Sequence, residues 1–405
     1  MSGASRREAR QVAVTAEVGP AGRDVRRRRR VRGLLSLASL AAAAALIVWG
    51  MPAISGVRWS QVLAELAGLR AWQLLTLTAL WLAGLWVYSF VLTASLPGLR
   101  NWQGFTLNTV GSAISNLLPF GGAAGVAVLY ALTAGWGFSR RAVTASVLVT
   151  GIWNLLARLA LPAAGALLLV TGGVIPNPRI TAAVVITSII LASAVIAIVL
   201  ALRSVTAAYH LAAALDVAAR LLPGRWRPRP GGIDAALRRL QATTAGLVRR
   251  AWPRLTLATA AYLGLQAVLL AGCLRAAGLH LPVTEILAAF AVNRALTTAV
   301  VTPGGIGITE TGTLALLLTL GAPAPQATAG VLLFAAFTYA LEIPLGGIAW
   351  VVVLTRRRRK QHRLTGSPSR PRAARLAISI VGSLVEQVLR LARRSVDSGR
   401  WATAK

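Results

Sequence analysis

Apolar positions come in long unbroken blocks along this chain. They run from Leu34 to Ile54, Ala71 to Leu96, Ala142 to Val174, Ile180 to Leu202, Leu255 to Leu274 and Gln326 to Thr355. A helix rises about 1.5 Å per residue, so a block of about 18 residues or more crosses a hydrocarbon layer about 30 Å thick. No water is present at that depth, and helix is the fold that satisfies the backbone internally. The pattern predicts an all-α, polytopic helical membrane protein. Counting the shorter pieces between the blocks gives about 8–10 membrane segments.

Two shorter pieces differ from the rest. Asn101 to Leu118 is mildly apolar and holds Asn108, Ser112, Ser115 and Asn116. It breaks at Pro119, followed by Gly121, Gly122 and Gly125, and resumes from Val126 to Gly137. Arg100 at one end and Arg140 with Arg141 at the other put both ends on one side, as a short hairpin that spans or re-enters. The second piece runs from Pro282 to Val301, breaks at Pro303, Gly304, Gly305 and Gly307, and resumes from Ile308 to Leu320. Proline removes a backbone donor and glycine frees the dihedrals, so both breaks are irregular backbone. Such backbone is tolerated at membrane depth only where protein or a watery cavity covers it. On the alternating topology the first break follows an outward piece and the second an inward one. Paired broken helices of opposite orientation mark an inverted repeat and a transporter's binding site. The plain alternative is two tight turns at the membrane surface.

The remaining segments are read from their flanks. Pro162 is expected to kink the block that contains it. Residues 204–254 form the largest basic loop. Its Arg-rich flanks are expected to lie on the membrane surface, and Pro223 to Gly232 divides it. The stretch Arg58 to Arg70 reads as a connection anchored by Trp59 and Trp72. Beyond Lys360, Ala373 to Arg394 is an amphipathic stretch, with Leu376, Ile380, Leu384, Val388 and Leu391 at spacings of three and four.

Charge sharpens this picture. Charged residues make up 13% of the chain, yet the net charge is +32. In a soluble protein that excess would point to nucleic acid. Here it is distributed by side: 10 of the 43 Lys and Arg lie in residues 1–32, 9 in 204–254 and 14 from Arg356 onward. That asymmetry is the positive-inside signature, and it places both termini and the 204–254 loop in the cytoplasm of a multi-pass plasma membrane protein. Nucleic acid is not expected as a partner; anionic inner-leaflet lipid is. The block from Leu34 lies behind a polar tail and exceeds a signal-peptide core, so it reads as a permanent first span. The single cysteine, Cys273, sits within an apolar block and reads as a buried structural thiol.

Four charges fall inside apolar blocks: Arg158, Arg294, Glu310 and Glu342. Each costs about 2.5–3.5 kcal/mol at the bilayer centre unless it is paired or wetted. Two bases and two acids can pair between helices, or they can line a headgroup path. Glu285, just after Pro282, reads as a helix cap. The three histidines are scattered, no His-x-x-x-His pair occurs, and Gly304 to Gly307 lacks the ending of a phosphate-binding P-loop. Catalytic chemistry, ATP use, a metal site and a cofactor are therefore not expected.

The string Pro303-Gly304-Gly305-Ile306-Gly307-Ile308-Thr309-Glu310, preceded by Asn293 and Arg294, resembles the Pro-Gly-Gly-x-Gly-x-x-Glu motif of the lysylphosphatidylglycerol synthase transmembrane, or flippase-like, family. Asn116-Leu117-Leu118-Pro119 with its glycines resembles that family's first motif. The similarity covers roughly residues 34–355. It implies a lipid-translocating domain without the soluble aminoacyl-transferase domain of full-length synthases. With the breaks and the charges inside the apolar blocks, it gives a candidate substrate site of Asn116, Pro119, Gly121, Gly122, Arg158, Asn293, Arg294, Pro303, Gly304, Gly305, Gly307, Glu310 and Glu342, in which Arg158 and Glu342 come from the charge pattern alone. The chain departs from the family in having no charge over residues 120–128. The family's long helix after the first hairpin often has an acid–base pair, where only Arg158 remains, and its last helix often carries an Arg where this chain has Glu342.

The expected organisation is a basic cytoplasmic tail over 1–32, a flippase-like transmembrane domain over 33–355, and a basic cytoplasmic tail over 356–405 that carries the amphipathic helix. The expected function is movement of an anionic phospholipid or a polyprenyl-linked lipid between leaflets. The competing reading is a non-transporting accessory protein that holds a cell-envelope enzyme at the membrane. A membrane-embedded glycosyltransferase would need an acidic pair on a loop, which the sequence lacks.

Overall fold

A computed structural model of the chain describes residues 41–117, 121–171, 178–219, 232–297 and 305–365. The tail 1–32, Pro119, most of the turn from Gly172 to Arg179, most of Pro223 to Gly232, Pro303, Gly304 and the stretch Ala373 to Arg394 lie outside the described residues. Among the described residues every regular element is helical. The chain is an all-α polytopic membrane protein, with five helices long and apolar enough to cross a membrane, or six if one bent pair counts as a span.

That bent pair is α1 (Ala41–Ser55) and α2 (Trp59–Ala67), which turn 98° at their junction. Gly56 makes the corner in the left-handed region at φ 68°. The Trp59 indole donates back to the Val48 carbonyl at 3.1 Å. The stretch expected to be a mere anchored connection thus contains a helix. Its start obeys a rule that recurs twice more: the amide oxygen of Gln61 accepts from the Arg58 N–H, that of Gln73 from Arg70, and that of Gln103 from Arg100. An N3 amide that reaches back to the N-cap N–H satisfies a donor the helix itself cannot.

The full-length spans are α3 (Ala71–Ser95), α6 (Arg140–Thr171), α7 (Pro178–Arg203), α9 (Gly232–Ala276) and the last span, Ala324–Arg356. Between them lie shorter arms: α4 (Asn101–Leu117) and α5 (Gly121–Ala134), then α10 (Val283–Leu296) and α11 (Ile308–Thr319). With 17, 14, 14 and 12 residues, these arms fall short of a bilayer at about 1.5 Å per residue. Each pair packs together as a hairpin. The last span is interrupted: α12 (Ala324–Ala335) passes into a π-helical turn at Ala336–Ala340, and α13 (Glu342–Thr365) follows. A second unit begins at Val351, and its described residues, Val351–Thr365, are helical.

The basic segment 204–254 is helical from Val205 onward wherever it is described. It holds α8 (Val205–Ala219), which packs on α7 and α9, and the first half of α9. At 45 residues α9 is about 68 Å long, more than twice the hydrocarbon thickness. It runs through Pro253 without a break. Thr244, Val248, Ala251 and Leu255, one face of this helix, are buried, and the last three pack with Val91 of α3 and with Val149 and Trp153 of α6. One face of this part of the segment therefore packs on the bundle, while Arg249, Arg250 and Arg254 stay exposed. Packing against two neighbours outweighs the one hydrogen bond that proline removes.

Small residues let the helices close up, as expected where lipid gives little drive for association. A Cβ at Gly165 of α6 would lie 2.5 Å from the Ala291 Cβ of α10. A Cβ at Gly330 of α12 would lie 2.8 Å from Leu274 of α9. Cys273 is buried in this core beside Leu270, Leu274, Phe290 and Phe334.

Candidate functional site

The second break is shaped by its glycines. Gly305 and Gly307 both take positive φ, 80° and 89°. A Cβ on Gly305 would lie 3.2 Å from the Thr297 Cα at the end of α10, and one on Gly307 would lie 2.7 Å from the Leu46 Cβ of α1. Backbone conformation and close approach both demand glycine there.

Glu310 stands three residues beyond Gly307, in the first turn of α11, and is fully buried. Its Oε2 accepts from the Gly307 N–H, and its Oε1 accepts from the Thr309 hydroxyl at 2.9 Å. The free N–H groups and positive dipole end of α11 suit an acid at this position. One residue type thus closes the break and caps the helix.

Asn293 and Arg294 end the other arm. The Asn293 amide nitrogen donates to Thr313 of α11 at 3.1 Å, tying the two arms. Its oxygen accepts from Arg294 Nε at 3.2 Å and Nη2 at 2.7 Å. The guanidinium lies over the Phe290 and Phe334 rings, 5.4 and 5.8 Å from their centroids. Asn293 and the two rings hold it in one orientation, with two of its five N–H donors used among the described residues.

The first break meets the last span. Asn116, near the end of α4, donates from Nδ2 to Glu342 Oε2 at 3.3 Å and to the Thr338 carbonyl at 3.4 Å. Ser112, one turn earlier, also hydrogen-bonds to the Glu342 carboxylate. Gly121 opens α5 and Gly122 is exposed.

The tips of both hairpins therefore converge on one π-helical turn. Asn116 reaches Thr338 and Glu342 from one hairpin, and Thr309 reaches the Tyr339 hydroxyl at 3.4 Å from the other. The wider turn is marked by the Leu341 N–H bond to the Ala336 carbonyl, five residues back. Such turns are rare and recur at functional sites. This one lies at the middle of the span Ala324–Arg356.

Arg294 lies within Coulombic reach of Glu310, Glu342, Tyr262, Tyr339 and Arg158. Arg158, on α6, is exposed and faces Tyr88 and Tyr339 as well. Among the described residues the four charges form no ion pair. The acids are held by neutral donors, and the two guanidiniums lie within Coulombic reach of each other. An anion entering there would be stabilised by both, and a phosphate would accept forked hydrogen bonds from each.

The sequence reading named Asn116, Gly121, Gly122, Arg158, Asn293, Arg294, Gly305, Gly307, Glu310 and Glu342 among the described positions. The structure gathers Asn116 with Glu342, Glu310 with Gly307, and Asn293 with Arg294. Tyr88, Asn154, Tyr262, Thr309, Thr338 and Tyr339 join them here without having been candidates from the sequence. The Tyr88 and Tyr262 rings meet edge-on at 4.8 Å, and Asn154 donates to the Tyr88 hydroxyl at 3.2 Å. Three of the five tyrosines lie at this cluster, and their scattered positions in the sequence give no sign of it.

A family model for the lysylphosphatidylglycerol synthase TM region matches residues 36–346. The chain belongs to this family. The match ends just beyond Glu342, so both hairpins and the π-helical turn fall within it. Membership links the chain to lipid handling in a membrane. None of the curated proteins matches the chain.

Proposed function

We propose that this protein moves a phosphate-bearing lipid, an anionic phospholipid or a polyprenyl-linked lipid, between the leaflets of the plasma membrane. The convergence of two broken hairpins on the mid-span turn carries this reading. Irregular backbone at membrane depth belongs where a polar path is needed, and paired broken helices frame such paths in transporters. Arg294 is held ready by Asn293 and two rings, and Arg158 supplies a second exposed fork. The lipid's phosphate passes between them while its tails stay in the hydrocarbon. Both termini face the cytoplasm, where the basic tails meet anionic lipid. The protein works without breaking bonds. The test is lipid translocation by the purified chain in proteoliposomes, using fluorescent phospholipids and a fluorescent polyprenyl phosphate, with accessibility to an impermeant quencher as the readout. Loss of fluorescence from the protected leaflet at a rate above empty vesicles is the expected result. No acceleration with either lipid class would reject this reading in favour of an accessory role beside a cell-envelope enzyme.

A further inference from the structure

We propose that Glu342 is the proton-binding site of the translocation cycle, releasing the first hairpin when it takes up a proton. This rests on the transport reading above and adds to it a co-substrate, the proton.

Glu342 is buried, sits at the end of the π-helical turn, and belongs to no ion pair among the described residues. Neutral donors from a single element, Asn116 and Ser112 of α4, hydrogen-bond to its carboxylate. The titratable and charged groups facing it from the other packed elements are Arg294 of α10, Tyr262 of α9 and Tyr339 of the turn itself. Arg294 is already committed to Asn293 and the two rings. The carboxylate is thus the acceptor that fastens the tip of α4 to the last span. Hydrogen bonds to an ionised acceptor are about twice as strong as neutral ones. One proton on Glu342 removes that charge and turns one of its two acceptor oxygens into a donor, so a single neutral oxygen is left to accept. The Asn116 bond to the carboxyl weakens, while its bond to the Thr338 carbonyl is unaffected.

A route for the proton is present on the same helix. Asn108, Ser112, Ser115 and Asn116 lie on one face of α4 at helical spacing. The stripe ends at Glu342. The second acid, Glu310, does not share this role: it is fixed within its own break by Gly307 and Thr309.

The experiment places spin labels at Gly122→Cys, exposed with open space around it, and at Ile348→Cys, exposed on the last span. The native Cys273 is buried. Distances are read in proteoliposomes frozen at pH 5 and pH 8. The expected result is a longer distance at pH 5 in the otherwise native chain. Glu342→Gln, which mimics the protonated acid, gives the longer distance at both values. Asn116→Ala, which leaves the acid intact but removes the fastening, does the same. An unchanged distance in the native chain, or a pH response that survives in Glu342→Gln, overturns the proposal. In parallel, translocation is measured with an imposed pH gradient and a trapped pH dye. Acceleration is expected, by up to about tenfold per pH unit for one proton, together with proton entry, and both are lost in Glu342→Gln. Translocation without any pH response rejects the proton and keeps the transport reading. A pH-dependent distance with no translocation of any lipid keeps the proton site and rejects the transport reading.

Discussion

Asn116 and Glu342 lie 226 positions apart in the chain and share a hydrogen bond of 3.3 Å at the middle of the last span. The bond joins the tip of the first hairpin to the turn that the second hairpin also touches through Thr309 and Tyr339. A buried carboxylate needs its donors, so the hairpin cannot leave without uncovering the acid. Position and chemistry are thus coupled at one residue.

Replacing Asn116 by Leu keeps volume and removes the donor. Thermal unfolding in detergent, followed by tryptophan fluorescence, should show a loss of about 1–3 kcal/mol, the range for leaving a buried polar partner unsatisfied. Adding Glu342→Leu should restore part of it, because the orphaned group is gone. Native stability in Asn116→Leu would show that the bond carries no weight.

Two adjacent glycines give an internal control for how closely α13 packs on α4. A Cβ at Gly346 would collide with the Thr109 carbonyl and the Ala113 Cβ, while one at Gly347 meets nothing within 4 Å. Gly346→Ala should destabilise by about 1–3 kcal/mol, as overpacking does. Gly347→Ala should be neutral or stabilise by up to about 1 kcal/mol, since alanine is the better helix former. Equal effects at the two positions would contradict the close approach.

The all-helical fold and the places of the two breaks were legible because apolar block length and Pro-Gly punctuation are local properties. The packed half of α9 was not, since Arg249, Arg250 and Pro253 read as a loop end. The stripe Thr244, Val248, Ala251 and Leu255 continues across the proline at spacings of four, three and four, and shows a buried helix face. The four membrane-depth charges were legible as residues that need a partner. Which partners they take was not: Asn116 meets Glu342 only through tertiary packing, and no sequence pattern marks the π-helical turn. Tyr88, Tyr262 and Tyr339 sit inside apolar blocks, where tyrosine is too common at membrane interfaces to stand out.

The topology follows from charge. Residues 1–32, 204–254 and 356–405 hold 33 of the 43 basic residues and should face the cytoplasm. A cysteine placed at Ile175 should react with an impermeant reagent in intact cells, and one placed at Gly224 should not. Labelling of Gly224→Cys from outside would overturn the topology.

Arg294 and Glu310 flank the second break and offer the sharpest separation of structure from transport. If they served only as a buried ion pair, removing one would leave an unpaired charge at a cost of about 3–5 kcal/mol, and removing both would recover much of it. The observed contacts predict otherwise. Glu310 is satisfied by Gly307 and Thr309, and Arg294 by Asn293 and two aromatic rings. Glu310→Gln keeps an oxygen that can accept from the Gly307 N–H, so it should fold with little loss. Glu310→Ala gives up that cap and should lose about 0.5–2 kcal/mol. Arg294→Lys keeps the charge but not the planar fork, and it should slow translocation although the protein remains folded. The double variant Arg294→Gln with Glu310→Gln should be well folded, with unfolding losses close to the sum of the single variants, and inactive in the proteoliposome assay. Full translocation by that double variant would remove both residues from the lipid path and leave them a structural role alone.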